Sequence, residues 1–128
     1  MALDELDPLQ ANDLLSEALA LDVREPYEYE AGHIEGSMHI PIGQIQNRWE
    51  ELDKDRPIVV VCQIGQRSDL VANFLRENGY DAANLAGGLT AWTAAGLPLV
   101  SEAAPGGIVD GYARDIAGNR LNPDEPPG

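Results

Sequence analysis

The chain has 128 residues and carries 22 acidic against 8 basic side chains, a formal charge of −14, with 44% hydrophobic residues and a single cysteine, Cys62. The length suits one domain of about 100–150 residues, and the apolar content is enough for a sizeable core. The charge excludes nucleic acid and anionic membrane as partners, since both require a basic patch, and one cysteine excludes an internal disulfide, a CxxC redox pair and a Cys-rich zinc site.

The N-terminus, Met1 to Asp7, is acidic and lacks the basic start of a secretory signal. The longest apolar run, Pro57 to Cys62, falls far short of the roughly 20 residues of a bilayer span, so a soluble cytoplasmic protein is expected. In residues 8–18, Ala11, Leu14, Leu15 and Ala18 follow an i, i+3, i+4, i+7 pattern that predicts an amphipathic helix. Residues 20–23 read as a short buried strand running into a charged Asp22-x-Arg24. Residues 26–31 read as a short helix with Pro26 at its first position and Gly32 just past its end. From His33 to Pro41 the chain reads as irregular, with Ile34, Met38 and Ile40 as apolar pegs. Ile45, Trp49 and Leu52 suggest a second amphipathic helix, followed by a solvated turn at residues 53–56.

The run Ile58-Val-Val-Val61 is β-branched without alternation, which predicts a strand buried on both faces, as in a parallel sheet. A helix is predicted over residues 69–78, with Leu70, Val71, Phe74 and Leu75 on one face and Gly79 as its stop. A strand over 80–85 and a helix over 89–95, opened by Gly87-Gly88, complete an alternation that favours an α/β fold. Composition shifts near Ser101. Residues 1–101 form the expected domain, and residues 102–128, with four of the nine prolines, form a Gly/Pro-containing tail. Ile108, Tyr112 and Ile116 allow one or two amphipathic turns there, and residues 123–128 are expected to be disordered.

The chemistry concentrates in Cys62-Gln-Ile-Gly-Gln-Arg-Ser68, directly after the strongest strand. Ligands of α/β proteins bind beyond the carboxyl ends of strands. The N-terminus of the following helix offers unpaired N–H groups that favour an anion and depress a thiol pKa. Gly65 lets the loop fold its amides into a nest, Arg67 adds a cation with several donors, and Ser68 is placed to cap the helix. Cys62 would attack an electrophile while the nest holds the developing negative charge. The alternative is an inert buried thiol packed as a small hydrophobe.

Four stretches together resemble a single-domain rhodanese: Leu21-Asp-Val-Arg-Glu25 with Tyr29; Gly32-His-Ile-Glu-Gly-Ser-Met-His-Ile-Pro41; the loop from Cys62 to Ser68; and Leu85-Ala-Gly-Gly-Leu-Thr-Ala-Trp92 closed by Gly96-Leu-Pro98. They stand in the family's order and cover about residues 8–100. The resemblance implies a central five-stranded parallel sheet flanked by helices on both faces. It also implies a sulfurtransferase, in which a Cys62 persulfide carries sulfur from a small anionic donor such as thiosulfate to a thiol or sulfur-carrier protein. Residues Gln63, Ile64, Gly65, Gln66, Arg67 and Ser68 would bind the transferred group. Arg24 would orient the anion or belong to a structural ion-pair network with Asp22, and His33 would support the loop. His39 reads as a loop position without chemistry, Trp92 with Leu89 as core, and Gly87-Gly88 as a site of close packing. Two histidines without a carboxylate at ligand spacing give no metal site, and no cofactor is expected.

Three other readings remain. Cysteine phosphatases resemble this loop but carry Cys-x5-Arg, one residue longer than the Cys-x4-Arg here. A regulatory binding module of the same fold usually lacks the cysteine. A sulfur relay is the third, and with no second thiol in the chain its acceptor must be external.

Overall fold

The computed structural model describes residue 1, residues 3–101 and the backbone of residues 108–109. Its centre is β4, Ile58–Val61, whose four residues are all buried. Side chains alternate across a strand, so Val59 and Val61 join one apolar cluster while Ile58, Val60 and the following Cys62 join the other. The first cluster is closed by Ala11 of α1 (Pro8–Leu14) and by Leu89 and Trp92 of α5 (Gly88–Ala94). The second is closed by Ile45 of α3 (Ile45–Arg48) and by Val71, Ala72 and Leu75 of α4 (Gln66–Glu77). A strand covered on both faces needs apolar residues at every position, which is why this run shows no alternation.

The sheet has the order β1-β5-β4-β2-β3, with β1 at Glu5–Leu6, β2 at Leu19–Asp22, β3 at Met38–His39 and β5 at Ala82–Leu85. All its neighbouring pairs are parallel, and Asp22 is in register with Val61. The chain leaves β2 through α2 (Pro26–Ala31) toward β3 at one edge, and leaves β4 through α4 toward β5 on the other side. The loops after β2 and β4 therefore diverge, and a crevice opens beyond the carboxyl ends of these two strands.

The five-stranded parallel sheet with helices on both faces agrees with the expected fold class. Several elements differ from expectation. The first helix ends at Leu14, and Ala18 enters the core from the turn that follows. Residues 42–51 are a short α-helix between two 3-10 turns rather than one helix; Ile45 is buried and Trp49 packs edge-on to Phe74, with ring centroids 5.7 Å apart. The strands β1 and β3 have two residues each, too few to show a period, and β3 lies inside the stretch read as irregular. The helix expected at 69–78 begins at Gln66, and its buried stripe is Ser68, Val71, Ala72 and Leu75, while Leu70 is 66% exposed. The stripe begins on a polar residue, so hydrophobicity alone starts it a turn late. Beyond the sheet, β6 (Leu99–Val100) pairs antiparallel with β7 (Ile108–Val109), so residues 108–109 are extended rather than helical. The other tail readings, including Tyr112, Ile116 and residues 123–128, lie outside the described residues.

Candidate active site

The loop from Cys62 to Gly65 is pressed against the start of α5. Leu89 N–H donates to the carbonyl of Cys62 and Thr90 N–H to the carbonyl of Gln63, both at 3.0 Å. In a trans peptide the N–H points opposite to the C=O, so these two bonds turn the N–H groups of Gln63 and Ile64 away from α5. The close packing expected of Gly87-Gly88 is seen at Gly88: a Cβ there would lie 2.5 Å from the carbonyl oxygens of Cys62 and Gln63, at a φ of +60°. Gly65 has φ +99° and serves as N-cap of α4.

This geometry gathers donors around one sulfur. Gly65 N–H donates to Cys62 Sγ at 3.0 Å and Ser68 Oγ lies 3.2 Å from it, while the N–H groups of Ile64 and Ser68 add to the field that favours the anionic sulfur. Cys62 is fully buried, at 0% exposure. Burial pushes its thiol pKa up, but the Ser68 hydroxyl and the three backbone donors together outweigh it and hold the thiol below its ordinary range. Ser68 is the third residue of α4, not its cap; its side chain is fully buried and turned to the sulfur, because the N-cap position falls on Gly65.

Two arginines flank the loop. Arg67 Nη1 and Nη2 bond the two oxygens of Glu28 at 2.8 and 3.0 Å, linking α4 to α2. The Arg67 guanidinium holds the Glu28 carboxyl below its ordinary value against a smaller opposing effect of burial. Arg24 is 3% exposed; its Nε and Nη2 bond Asp22, at 3.0 and 2.9 Å, Nη2 also reaches Gly32 O at 2.6 Å, and Nη1 reaches Gln63 Oε1 at 3.3 Å. Gln63 Nε2 donates to Thr90 Oγ1 at 3.1 Å, so this side chain spans the loop from β2 to α5. Beside the loop opens a cleft of about 400 Å³ lined by Glu5, Ile64, Gly65, Gln66, Asp69, Asn84, Ala86 and Gly87.

Residues 4–95 match the rhodanese-like domain family. The chain belongs to this family. It is 37% identical over 98 residues to the thiosulfate sulfurtransferase GlpE of Pseudoalteromonas translucida, covering 74% of this chain and 93% of that protein. Of two Bacillus subtilis relatives the chain spans only 60% and 40% of the length; the second, the putative sulfur carrier protein YrkF, is 39% identical over 57% of this chain. Among solved structures, a rhodanese-related protein from Thermoplasma volcanium superposes with a TM-score of 0.76 at 31% identity, covering 78% of this chain and all of that one.

Within this rhodanese-like domain the two histidines sit together around Tyr29, and their ring nitrogens contact the carbonyls of Tyr29 and Arg24. The rings of His33 and His39 stack on opposite faces of Tyr29, with centroids 3.8 and 4.3 Å from it. His33 Nδ1 contacts Tyr29 O at 2.7 Å, and its backbone pairs in both directions with Val100. His39 lies in β3, not in a loop, and its Nε2 contacts Arg24 O at 2.7 Å. Trp92 and Leu89 are core, as expected. No described helix is long and apolar enough to cross a membrane.

Two residues of this constellation escaped sequence reasoning. Glu28 stood among several surface acids of α2, and nothing in its spacing named Arg67 as its partner. Asn84, 4% exposed, bonds Ser68, Gly65 O and Glu5. Its signal was available: it is the one polar side chain in the strand Ala82–Leu85.

Proposed function

We propose that this domain is a sulfurtransferase whose carrier is Cys62. The Cys62 thiolate attacks the outer sulfur of a donor such as thiosulfate, the S–S bond of the donor breaks, and sulfite leaves with the bonding pair. Cys62 then holds a persulfide, Cys62–S–S⁻, whose charge has moved one atom outward. A thiophilic acceptor attacks that terminal sulfur and restores the thiolate. The acceptor is cyanide in an assay, and a thiol or a sulfur-carrier protein in the working reaction.

The observation that carries this reading is the set of donors aimed at one sulfur: Gly65 N–H and the Ser68 hydroxyl bond it, and the N–H groups of Ile64 and Ser68 strengthen the field. Preorganised donors stabilise negative charge without reorganisation. The same donors depress the thiol pKa, which favours the nucleophilic thiolate. Gln63, Ile64, Gly65 and Gln66 supply the walls of the nest, and Arg67 supplies positive charge at its edge. Asp22 fixes Arg24, and Arg24 in turn fixes Gln63. His33 braces α2 against β6. A sulfur relay to a protein acceptor is the second reading, supported by the likeness to a putative sulfur carrier and by the lone thiol, which leaves no internal group to take the persulfide.

A thiosulfate:cyanide assay run beside p-nitrophenyl phosphate hydrolysis tests the reaction class. Thiocyanate formation that is lost in Cys62→Ser, with no phosphate release, is the expected outcome. Phosphate release without thiocyanate overturns it.

A further inference from the structure

Ser68 Oγ faces two partners that both want its hydrogen, and it has one hydrogen to give. One partner is Cys62 Sγ, at 3.2 Å; the other is Asn84 Oδ1, in a short hydrogen bond. The orientation of the Asn84 amide is decided by its other contacts. Nδ2 lies 3.0 Å from Gly65 O, a carbonyl that can only accept, and 3.2 Å from Glu5 Oε1. The NH2 group must therefore face Gly65 and Glu5, which leaves Oδ1 as a pure acceptor aimed at Ser68. Both Ser68 and Asn84 are buried, so no solvent substitutes for a missing partner.

We propose that Asn84 is a positioning residue that holds the Ser68 hydroxyl hydrogen whenever the Cys62 sulfur is neutral and yields it when the sulfur is anionic. With a thiol, S–H donates to Ser68 Oγ and Ser68 O–H donates to Asn84 Oδ1, so every group is paired. With a thiolate, Ser68 turns its hydrogen to the sulfur, and Asn84 Oδ1 is left as a buried acceptor without a donor. Asn84 thus opposes the thiolate to a limited degree. The consequence for transfer rests on the persulfide reading above: once the charge sits on the outer sulfur, Sγ no longer needs the hydroxyl, and the hydrogen returns to Asn84. The same amide that restrains the free thiolate favours the loaded carrier. Asn84 also holds the carbonyl of Gly65, the residue whose N–H points at the sulfur.

The test reads the thiol alone, by iodoacetamide alkylation of the single cysteine against pH, and needs no sulfur donor. A domain that failed to accept sulfur would still report on Asn84. Asn84→Leu removes the competing acceptor at similar volume. It is expected to lower the alkylation midpoint by about half to one pH unit, the size of one neutral hydrogen bond. Asn84→Asp replaces the acceptor with a charged, stronger one and is expected to raise the midpoint. In a Ser68→Ala background, Asn84→Leu is expected to move it by less than about 0.2 unit, because the route to the sulfur is gone. The charged groups near the site, Arg67, Glu28, Glu25, Arg24 and Asp22 by the loop and Asp69 by Asn84, are the same in the wild type and in Asn84→Leu; Glu5 alone loses a partner, Asn84 Nδ2, and any effect through Glu5 persists in the Ser68→Ala background, where it is read separately.

General loosening of the loop would raise the midpoint toward that of a free thiol. A rise or no change in Asn84→Leu overturns the proposal, as does an equal shift with and without Ser68. The wild type supplies a measurement that depends on no variant folding. Its one S–H stretching band, below the midpoint, is expected at lower frequency than that of a solvated thiol, because S–H donates to Ser68; a band at the frequency of a free thiol overturns the proposal.

Discussion

Arg67 shows how a single residue changes meaning between sequence and fold. In the sequence it is a cation five positions from Cys62; in the fold its guanidinium is engaged by Glu28 at two points. The pair leaves little net charge for an incoming anion until the donor competes for Arg67. Arg67→Ala is expected to cost about 1–3 kcal/mol in kcat/KM for an anionic donor, the range for a charge-assisted contact, and less for a neutral one. Glu28→Gln works in the other direction: it releases Arg67, and the KM for thiosulfate is expected to fall. Steady-state kinetics with both donors check the two variants, and equal losses for both donors in Arg67→Ala contradict the electrostatic role. Glu28 also carries a pH signature. Its carboxyl is held below the ordinary value of 4.5 by Arg67. A depressed carboxyl stabilises the fold above its ordinary value, and that contribution is lost as the pH falls through the lower folded value. The pair is partly exposed, so its worth is under about 1 kcal/mol. Urea midpoints of the wild type and Glu28→Gln should differ near pH 7 and converge well below pH 4.5; a gap that persists in acid contradicts this.

At the scale of elements, the site is an agreement between three strand ends. The loop after β4 supplies the sulfur and the amides, α5 takes the loop's carbonyls, and the end of β2 supplies Arg24 to brace Gln63. Gly88 is the tightest joint. An added methyl there would meet the backbone of Cys62 and Gln63 at 2.5 Å, in a backbone conformation that side chains rarely adopt. Gly88→Ala is expected to destabilise by about 1–3 kcal/mol and to raise the alkylation midpoint of Cys62, because the loop must move off α5 and its N–H groups lose their aim. Denaturation and alkylation on the same sample check this; an unchanged midpoint in a folded variant contradicts the role given to α5. The elements legible in the sequence were those with enough residues to show a period or a punctuation mark. β4 announced itself through four β-branched residues, and α2 through Pro26 and Gly32. The two-residue strands β1 and β3 had no period to show. α4 was read as starting late because its buried face begins with Ser68, a residue whose polarity suits a helix cap as well as a sulfur contact.

At the scale of the whole molecule, the family and the loop around Cys62 were legible, while the pairings around them were not. Contacts such as Arg67–Glu28 and Ser68–Asn84 join residues 39 and 16 positions apart, and only the crossing of the chain through the sheet brings them together. The total charge of −14 belongs to the chain as a whole, whereas the sulfur sits in a local field of amide donors that works against it. The two act at different ranges. Screening lengths shrink from about 30 Å at 0.01 M salt to about 8 Å at 0.15 M, so added salt removes the long-range repulsion of an anionic donor and leaves the local amide field intact. The kcat/KM for thiosulfate is expected to rise across that interval and that for a neutral donor to stay level; a fall for thiosulfate contradicts this separation. The same net negative charge suits an acceptor protein that presents basic residues. Beneath all of this lies one claim, that Cys62 carries the transferred sulfur. The direct measurement is the intact mass of the protein after exposure to thiosulfate and removal of excess donor. The predicted result is a gain of one sulfur atom on the wild type, reversed by cyanide and absent in Cys62→Ser; an unchanged wild-type mass, or an equal gain in Cys62→Ser, would contradict it.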